Sequence, residues 1–208
     1  MIDISILGGS GLFISYGQTS SGKSRTFGNV LNCTVHKLLQ HSKKNGAVCF
    51  VSFMELQGNW LTDSLSHHSK LDLKEDKTGS VKIVEVIENK LSSASQFSKM
   101  SEKIFSSRVG ERQHKSHLIC RMRIRPADGG NDGFLYLIEM AGSEQAKCNS
   151  SHSSDKREAE QTKRSFSVLR ECLRGRASTS SNPDQSYSVP YGQSKLTLLQ
   201  KGCWMWRA

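Results

Sequence analysis

Long apolar runs are missing from this chain, and none approaches the roughly 20 residues that a membrane-spanning helix needs. Hydrophobic residues make up only 36% of the sequence and mean hydropathy is −0.49. This predicts long polar loops or an incomplete core. The six cysteines (Cys33, Cys49, Cys120, Cys148, Cys172 and Cys203) lack any CxxC or Cys/His spacing of a metal site, so they read as reduced intracellular thiols. His67-His68 has no third ligand at a useful distance in sequence. Met1 to Ser5 has no basic segment ahead of an apolar one, which argues against a secretory signal. Acidic residues are also in short supply, with Asp and Glu totalling 19 against 29 Lys and Arg, giving a net charge of +10. That excess favours a polyanionic partner. The length of 208 residues is that of a single domain.

Against these absences stands one dense stretch: Gly17, Gln18, Thr19, Ser20, Ser21, Gly22, Lys23 and Ser24 fit GxxxxGK(S/T) at every fixed position. Small residues let backbone N–H groups curl around a polyphosphate, Lys23 adds a point charge, and the Ser24 hydroxyl suits a hard cation such as Mg²⁺. The apolar run Gly11–Tyr16 before it reads as a buried strand, and Val30, Leu31, Val35, Leu38 and Leu39 after it are spaced for a helix.

Elsewhere, Ile4–Leu7 reads as a strand fragment and Ala47–Leu56 as a central strand. Asn59–Leu65 reads as a short helix or turn. Leu71–Gly79 and Val81–Ile87 form a predicted hairpin. Ser95–Ile104 is a predicted helix, Ser116–Arg125 and Phe134–Ile138 are predicted strands, and Gln145–Lys156 is a polar loop. From Glu158 to Arg174 a helix is expected, with Phe166, Leu169 and Leu173 on one side and Lys163, Ser167, Arg170 and Arg174 on another. Arg176–Ser188 reads as low-complexity loop, and order resumes at Val189.

Several of these segments, in order, resemble the kinesin motor domain. Tyr16–Ser24 is similar to that family's phosphate loop AYGQTGSGKT, Val51–Glu55 to its VSFxEIYNE strand, and Leu73–Gly79 to its LREDxxG hairpin. Ser116-His117 stands where the switch I motif NxxSSRSH ends, and Ala141–Glu144 stands in the switch II motif DLAGSE. Lys163–Phe166 resembles NKSL, and Val189–Tyr191 with Ser194–Thr197 resembles VPYRxSKLT. The matches run from about residue 11 to residue 200. The resemblance implies an α/β P-loop NTPase fold, a central mixed sheet flanked by helices, incomplete at both ends. On this reading residues 1–200 are a partial motor-like domain and 201–208 a divergent tail. It further implies ATP and Mg²⁺ held by Gly17 to Ser24, with Ser24 on the metal. Lys23, Ser116, Gly142 and Glu144 would serve the chemistry. Lys163, Arg164, Arg170 and Arg174 would meet acidic tubulin on microtubules. The expected location is the cytoplasmic microtubule cytoskeleton; neither membrane nor direct nucleic-acid binding is expected, the basic residues not being interleaved with aromatics.

The chain also departs from the family pattern. Gln113-His114-Lys115 stands where switch I offers two serines and an arginine, and Glu139 replaces the switch II aspartate. Arg123-Ile124-Arg125-Pro126 spells RxRP out of family order and reads as coincidence. The readings that follow are a kinesin-type ATPase with weakened hydrolysis, a catalytically inactive relative that binds microtubules or a partner, or a non-functional motor fragment.

Overall fold

The computed structural model describes residues 1–77, 79–108, 115–144, 153–181 and 189–205. Its centre is a seven-stranded sheet, ordered β1 (Ser10–Ser15), β9 (Gly133–Glu139), β8 (His117–Arg125), β2 (Val48–Gln57), β3 (Trp60–Asp63) and β4 (Ser69–Lys70), with β7 (Asn89–Lys90) also paired to β2. β1 runs parallel to β9 and the remaining pairs are antiparallel. The predicted hairpin is present as β5 (Asp72–Glu75) and β6 (Val81–Val84).

Side-chain alternation divides the strands between two cores. On one face Cys49, Val51 and Phe53 of β2, Leu118, Cys120, Met122 and Ile124 of β8, and Leu135 and Leu137 of β9 are buried together. They pack against α2 (Lys23–Asn45) through Phe27, Leu31, Val35 and Leu38, a stripe at three- and four-residue spacing, and against Phe97 and Ile104 of α3 (Ala94–Ser107). Burying one such side chain contributes roughly 1.5–3 kcal/mol. α2 ends at Gly46, whose φ of 70° lets its N–H cap the Ser42 carbonyl at 2.9 Å. Ser93 caps α3 by accepting from the Gln96 amide at 3.1 Å.

The other face joins Met54, Leu56, Ile119, Tyr136 and Ile138 to α4 (Ser153–Ser181) and α5 (Lys195–Met205) through Phe166, Leu169, Leu196 and Leu199. The mixed sheet between helical layers matches the fold class expected.

Local expectations fail at three places. Ile4–Leu7 is not strand: Ile2–Ile6 forms the short helix α1, which packs Ile2 and Ile6 on the first core and seats the buried Ser5 hydroxyl on the Phe134 carbonyl at 2.8 Å. Asn59–Leu65 is neither helix nor turn: β3 pairs back onto β2 from Gln57↔Trp60 to Met54↔Asp63. Arg176–Ser181 continues α4, the other residues to Ser188 lying outside those described. The last described element, α5, runs to Met205. Arg123 and Arg125 have a structural role, stacked over the Phe50 ring at 4.3 and 5.5 Å, with Arg123 paired to Glu88 and Asp132.

Candidate nucleotide site

The parallel register of β1 and β9 sets Ser15 beside Glu139, and the Ser15 carbonyl accepts from the Met140 amide at 3.0 Å. Both strands therefore end together, opening a crevice of the kind in which α/β sheets bind ligands. Gly17–Lys23 leaves β1 on one side of it, and Gly142–Glu144 leaves β9 on the other. The Ser143 amide ties the two by donating to the Gly17 carbonyl at 3.1 Å.

The loop conformation requires its glycines. Gly17 has φ 153° and a Cβ there would lie 2.6 Å from the Ser21 hydroxyl oxygen; Gly22, at φ 87°, leads into α2. Lys23 and Ser24 are thereby fixed on the first turn of a 23-residue helix, whose N-terminal amides and dipole favour anions. Lys23 is 9% exposed, and its ammonium donates to the Gln18 carbonyl at 2.7 Å. The Ser24 hydroxyl donates to one oxygen of Glu139. Glu139 reaches it despite the extra methylene relative to aspartate. Hydroxyl and carboxylate are hard oxygen donors, the set Mg²⁺ prefers, so these residues fit the cation that normally accompanies a nucleotide triphosphate.

Glu144 folds back over the loop. Its carboxylate accepts the Thr19 amide at 2.9 Å and also the Thr19 hydroxyl. Burial works to raise its pKa, but the Thr19 hydroxyl and amide, with the Lys23 charge behind them, outweigh this and hold it below its ordinary value. Gly142 leaves room for this fold-back, since a Cβ there would collide with the Glu144 carboxylate.

Ser116 lies elsewhere than the crevice mouth. It is fully buried, donating to Glu55 and receiving Arg108 on its carbonyl and hydroxyl oxygens at 3.1 and 3.2 Å. Arg108 also donates to Glu55 at 3.2 Å and to the second oxygen of Glu139 at 3.4 Å. Glu139 thus turns one oxygen to Ser24 and the other to Arg108, which places a hard oxygen donor beside the Ser24 hydroxyl. Sequence reasoning missed Arg108 and Glu55 as site residues. A signal existed: Glu55 is the sole charged residue in the run Ala47–Leu56, and a buried carboxylate demands a buried donor. His114 lies outside the described residues.

His117 was read only as the end of a motif. It is 1% exposed; its Nδ1 accepts the Ala141 amide at 3.0 Å and its Nε2 lies 3.0 Å from the Ser165 hydroxyl of α4. Burial, helped by the Arg108 charge, lowers its pKa to about 3, so the ring is neutral. On α4, Lys163, Arg164, Arg170 and Arg174 are exposed as a face while Phe166 and Leu169 are buried. Leu173 does share the apolar side of Phe166 and Leu169, the three lining one groove of about 390 Å³ with Ile14 and Tyr16, but unlike the other two it is 48% exposed. Among the described residues no helix is long and apolar enough to cross a membrane.

The kinesin motor domain model matches residues 1–204. Diatom spindle kinesin-1 from Cylindrotheca fusiformis is 30% identical over 199 residues, spanning 90% of this chain and 31% of the relative. Kinesin-like protein KIN-13B from Arabidopsis thaliana is 30% identical over 92% of this chain and 30% of its own length. Among solved structures, the motor and motor homology domain of Kar3Vik1 fused to a synthetic coiled coil superposes with TM-score 0.80 at 24% identity, over 96% of this chain and 56% of that one. The motor domain of the Kar3-like kinesin from Ashbya gossypii gives 0.78 at 23%, over 98% and 66%. The chain thus spans about a third of the length of these two curated relatives.

Proposed function

The chain belongs to the kinesin motor-domain family, and from that premise we propose that it binds Mg-ATP in the Gly17–Ser24 loop and hydrolyses it when bound to microtubules. The observation that carries this reading is the meeting of Ser24 with Glu139 at the joined ends of β1 and β9. Lys23 would exchange the Gln18 carbonyl for the phosphates, and the loop amides would line them. Glu139 would keep Ser24 oriented, with Arg108 fixing the carboxylate from behind. A magnesium ion held there would neutralise charge on the phosphate oxygens during transfer.

The microtubule face is Lys163, Arg164, Arg170 and Arg174. Further basic residues, Arg157 of α4 with Lys70 and Lys195, line a groove of about 430 Å³ together with Glu158. A basic surface of this extent steers encounter with acidic tubulin and makes binding salt-sensitive. Such a protein would work in the cytoplasm, on the microtubule cytoskeleton.

A second reading, binding without turnover, is favoured by the fold-back of Glu144, which engages the Thr19 amide of the phosphate loop. Phosphate release measured with and without microtubules decides between the two. Stimulated turnover that is abolished in Lys23→Ala supports the enzyme; microtubule binding without turnover supports the second reading.

A further inference from the structure

The two edges of the main sheet are unlike. β4 is two residues long and carries Lys70, and short length and charge are features that keep an edge from recruiting another strand. β1, at the opposite end, is six residues long and holds neither charge nor proline. Two contacts fix the phase of its hydrogen bonds: the Gly9 carbonyl accepts the Phe134 amide at 2.9 Å, and the Ser15 carbonyl accepts the Met140 amide at 3.0 Å. Bonding alternates along a strand in a parallel pair, so Gly9, Gly11, Phe13 and Ser15 serve β9. The N–H and C=O of Leu12 and Ile14 therefore point away from β9. Among the described residues no strand lies on that side.

Both faces beside this edge are apolar as well. On one, Ile14 and Tyr16 line the groove of about 390 Å³ with Phe166, Leu169 and Leu173 of α4, and Tyr16 is 58% exposed. On the other, Met1 at the start of α1 lies against Gly11, its Cγ 2.7 Å from where a Cβ would stand, and Met1, Ile4 and Leu7 are exposed. Successive residues of a strand point to opposite faces, so a segment laid along β1 would set alternate side chains on these two surfaces. The plain alternative is an edge that only meets water. It accounts for the outward backbone groups but not for apolar surface on both sides of them.

We propose that the β1 edge is a docking site for an extended segment of another protein, one that alternates apolar side chains and carries acidic residues at its ends. In such strand addition the main-chain hydrogen bonds of Leu12 and Ile14 hold the segment, and the flanking groove selects its side chains. Charge chooses the occupant. Among the residues lining the groove Arg170 alone is charged, Arg174 on the same helix is exposed, and the whole chain carries +10. A second copy would bring the same Arg170 and the same net charge against its own, so like charges oppose pairing of β1 with β1 while an acidic segment is drawn in. The inference needs neither nucleotide nor microtubules.

The probe is a synthetic peptide that alternates valine and threonine between glutamates, labelled with a fluorophore and titrated with the full chain. A control peptide has lysines in place of the glutamates. The glutamate peptide is expected to bind more tightly than the lysine peptide by about tenfold or more. Leu12→Pro removes one outward N–H and leaves the bonds to β9 in place, and Leu173→Glu sets a carboxylate at an exposed position of the groove. Each should weaken binding of the glutamate peptide by about tenfold. Thermal unfolding checks that both variants are folded; should Leu12→Pro unfold, Leu173→Glu decides alone. Folded variants that bind as well as wild type overturn the inference, as does a wild type that binds the two peptides equally or binds neither. A chain that sediments as a dimer, and as a monomer in folded Leu12→Pro, assigns the edge to a second copy and overturns it too.

Discussion

Glu144 closes the phosphate loop on itself by accepting both the amide and the hydroxyl of Thr19. Each chemically useful group in the loop is similarly held from within, Lys23 by the Gln18 carbonyl and Ser24 by Glu139. On the proposed reading the loop takes phosphate, and the protein's own oxygens now occupy its donors. Nucleotide binding is then an exchange, so its strength depends on what must be released.

Removing Glu144 should accordingly strengthen nucleotide binding. Hydrogen bonds to charged groups contribute about 1.5–3 kcal/mol. Half of that, regained on binding, is an affinity increase of the order of tenfold for Glu144→Ala. Titration with a fluorescent adenine nucleotide reads this directly; an unchanged or weaker affinity would show that the contact with Thr19 does not compete.

The same contact has a pH signature. Glu144 has a folded pKa below its ordinary value of 4.5, so its stabilising contribution is fully present above that pH and is lost as pH falls through the folded value. Raising pH from 5 to 7 should therefore leave the Glu144 contribution unchanged. A double comparison of wild type and Glu144→Gln in urea, at pH 4 and pH 6, checks it: the gap between them should be smaller at pH 4.

His117 titrates in the opposite chemical sense but destabilises on the same side. Its folded pKa is about 3, against 6.5 when exposed, so between these values the unfolded chain binds the extra proton. Stability is whole above pH 6.5 and falls by up to about 1.4 kcal/mol for each unit below it. Urea midpoints between pH 7 and pH 5 should show this slope in wild type, and His117→Gln should remove that component of it.

Arg108 is 2% exposed between Glu55 and Glu139. Arg108→Ala strands both carboxylates and should cost about 3–5 kcal/mol. The double variant Arg108→Met with Glu55→Leu should recover a substantial part of it, because a stranded charge rather than a lost attraction is responsible. Chemical denaturation of both proteins tests this, and a double variant no more stable than Arg108→Ala would contradict it.

How much of this was legible beforehand depended on how local the signal was. The phosphate loop is a consecutive stretch, and β2, β8 and β9 announce themselves by apolar runs or two-residue alternation, so sequence alone located them. Glu55, Arg108 and Glu139 are separated by 53 and 31 positions; the β2–β8–β9 register aligns Glu55 and Glu139 across Leu118, and the end of α3 delivers Arg108 between them. β3 was misread, although Gly58-Asn59 between two pairing segments is a hairpin turn by composition, and Gly58 has the φ of 57° such a turn needs. α1 was misread because five residues are too few for a period to declare itself. Leu173 was placed with Phe166 and Leu169 by helical spacing, but spacing says nothing about where the covering sheet stops, and β1 is its edge strand.

The basic face yields a salt-dependent prediction. Replacing Lys163, Arg170 and Arg174 by glutamine should lower microtubule affinity by an order of magnitude or more and flatten its dependence on salt, since screening then has fewer charges to act on. These side chains are exposed, so stability should change by no more than about 0.5 kcal/mol per site. Co-sedimentation across a salt series gives both slope and affinity.

The central claim is that the crevice at the ends of β1 and β9 turns over ATP for a protein bound to microtubules. Phosphate release by the purified, folded chain should rise on adding microtubules and fall to background in Lys23→Ala. A wild-type protein that sediments with microtubules yet releases no phosphate above background would contradict the claim.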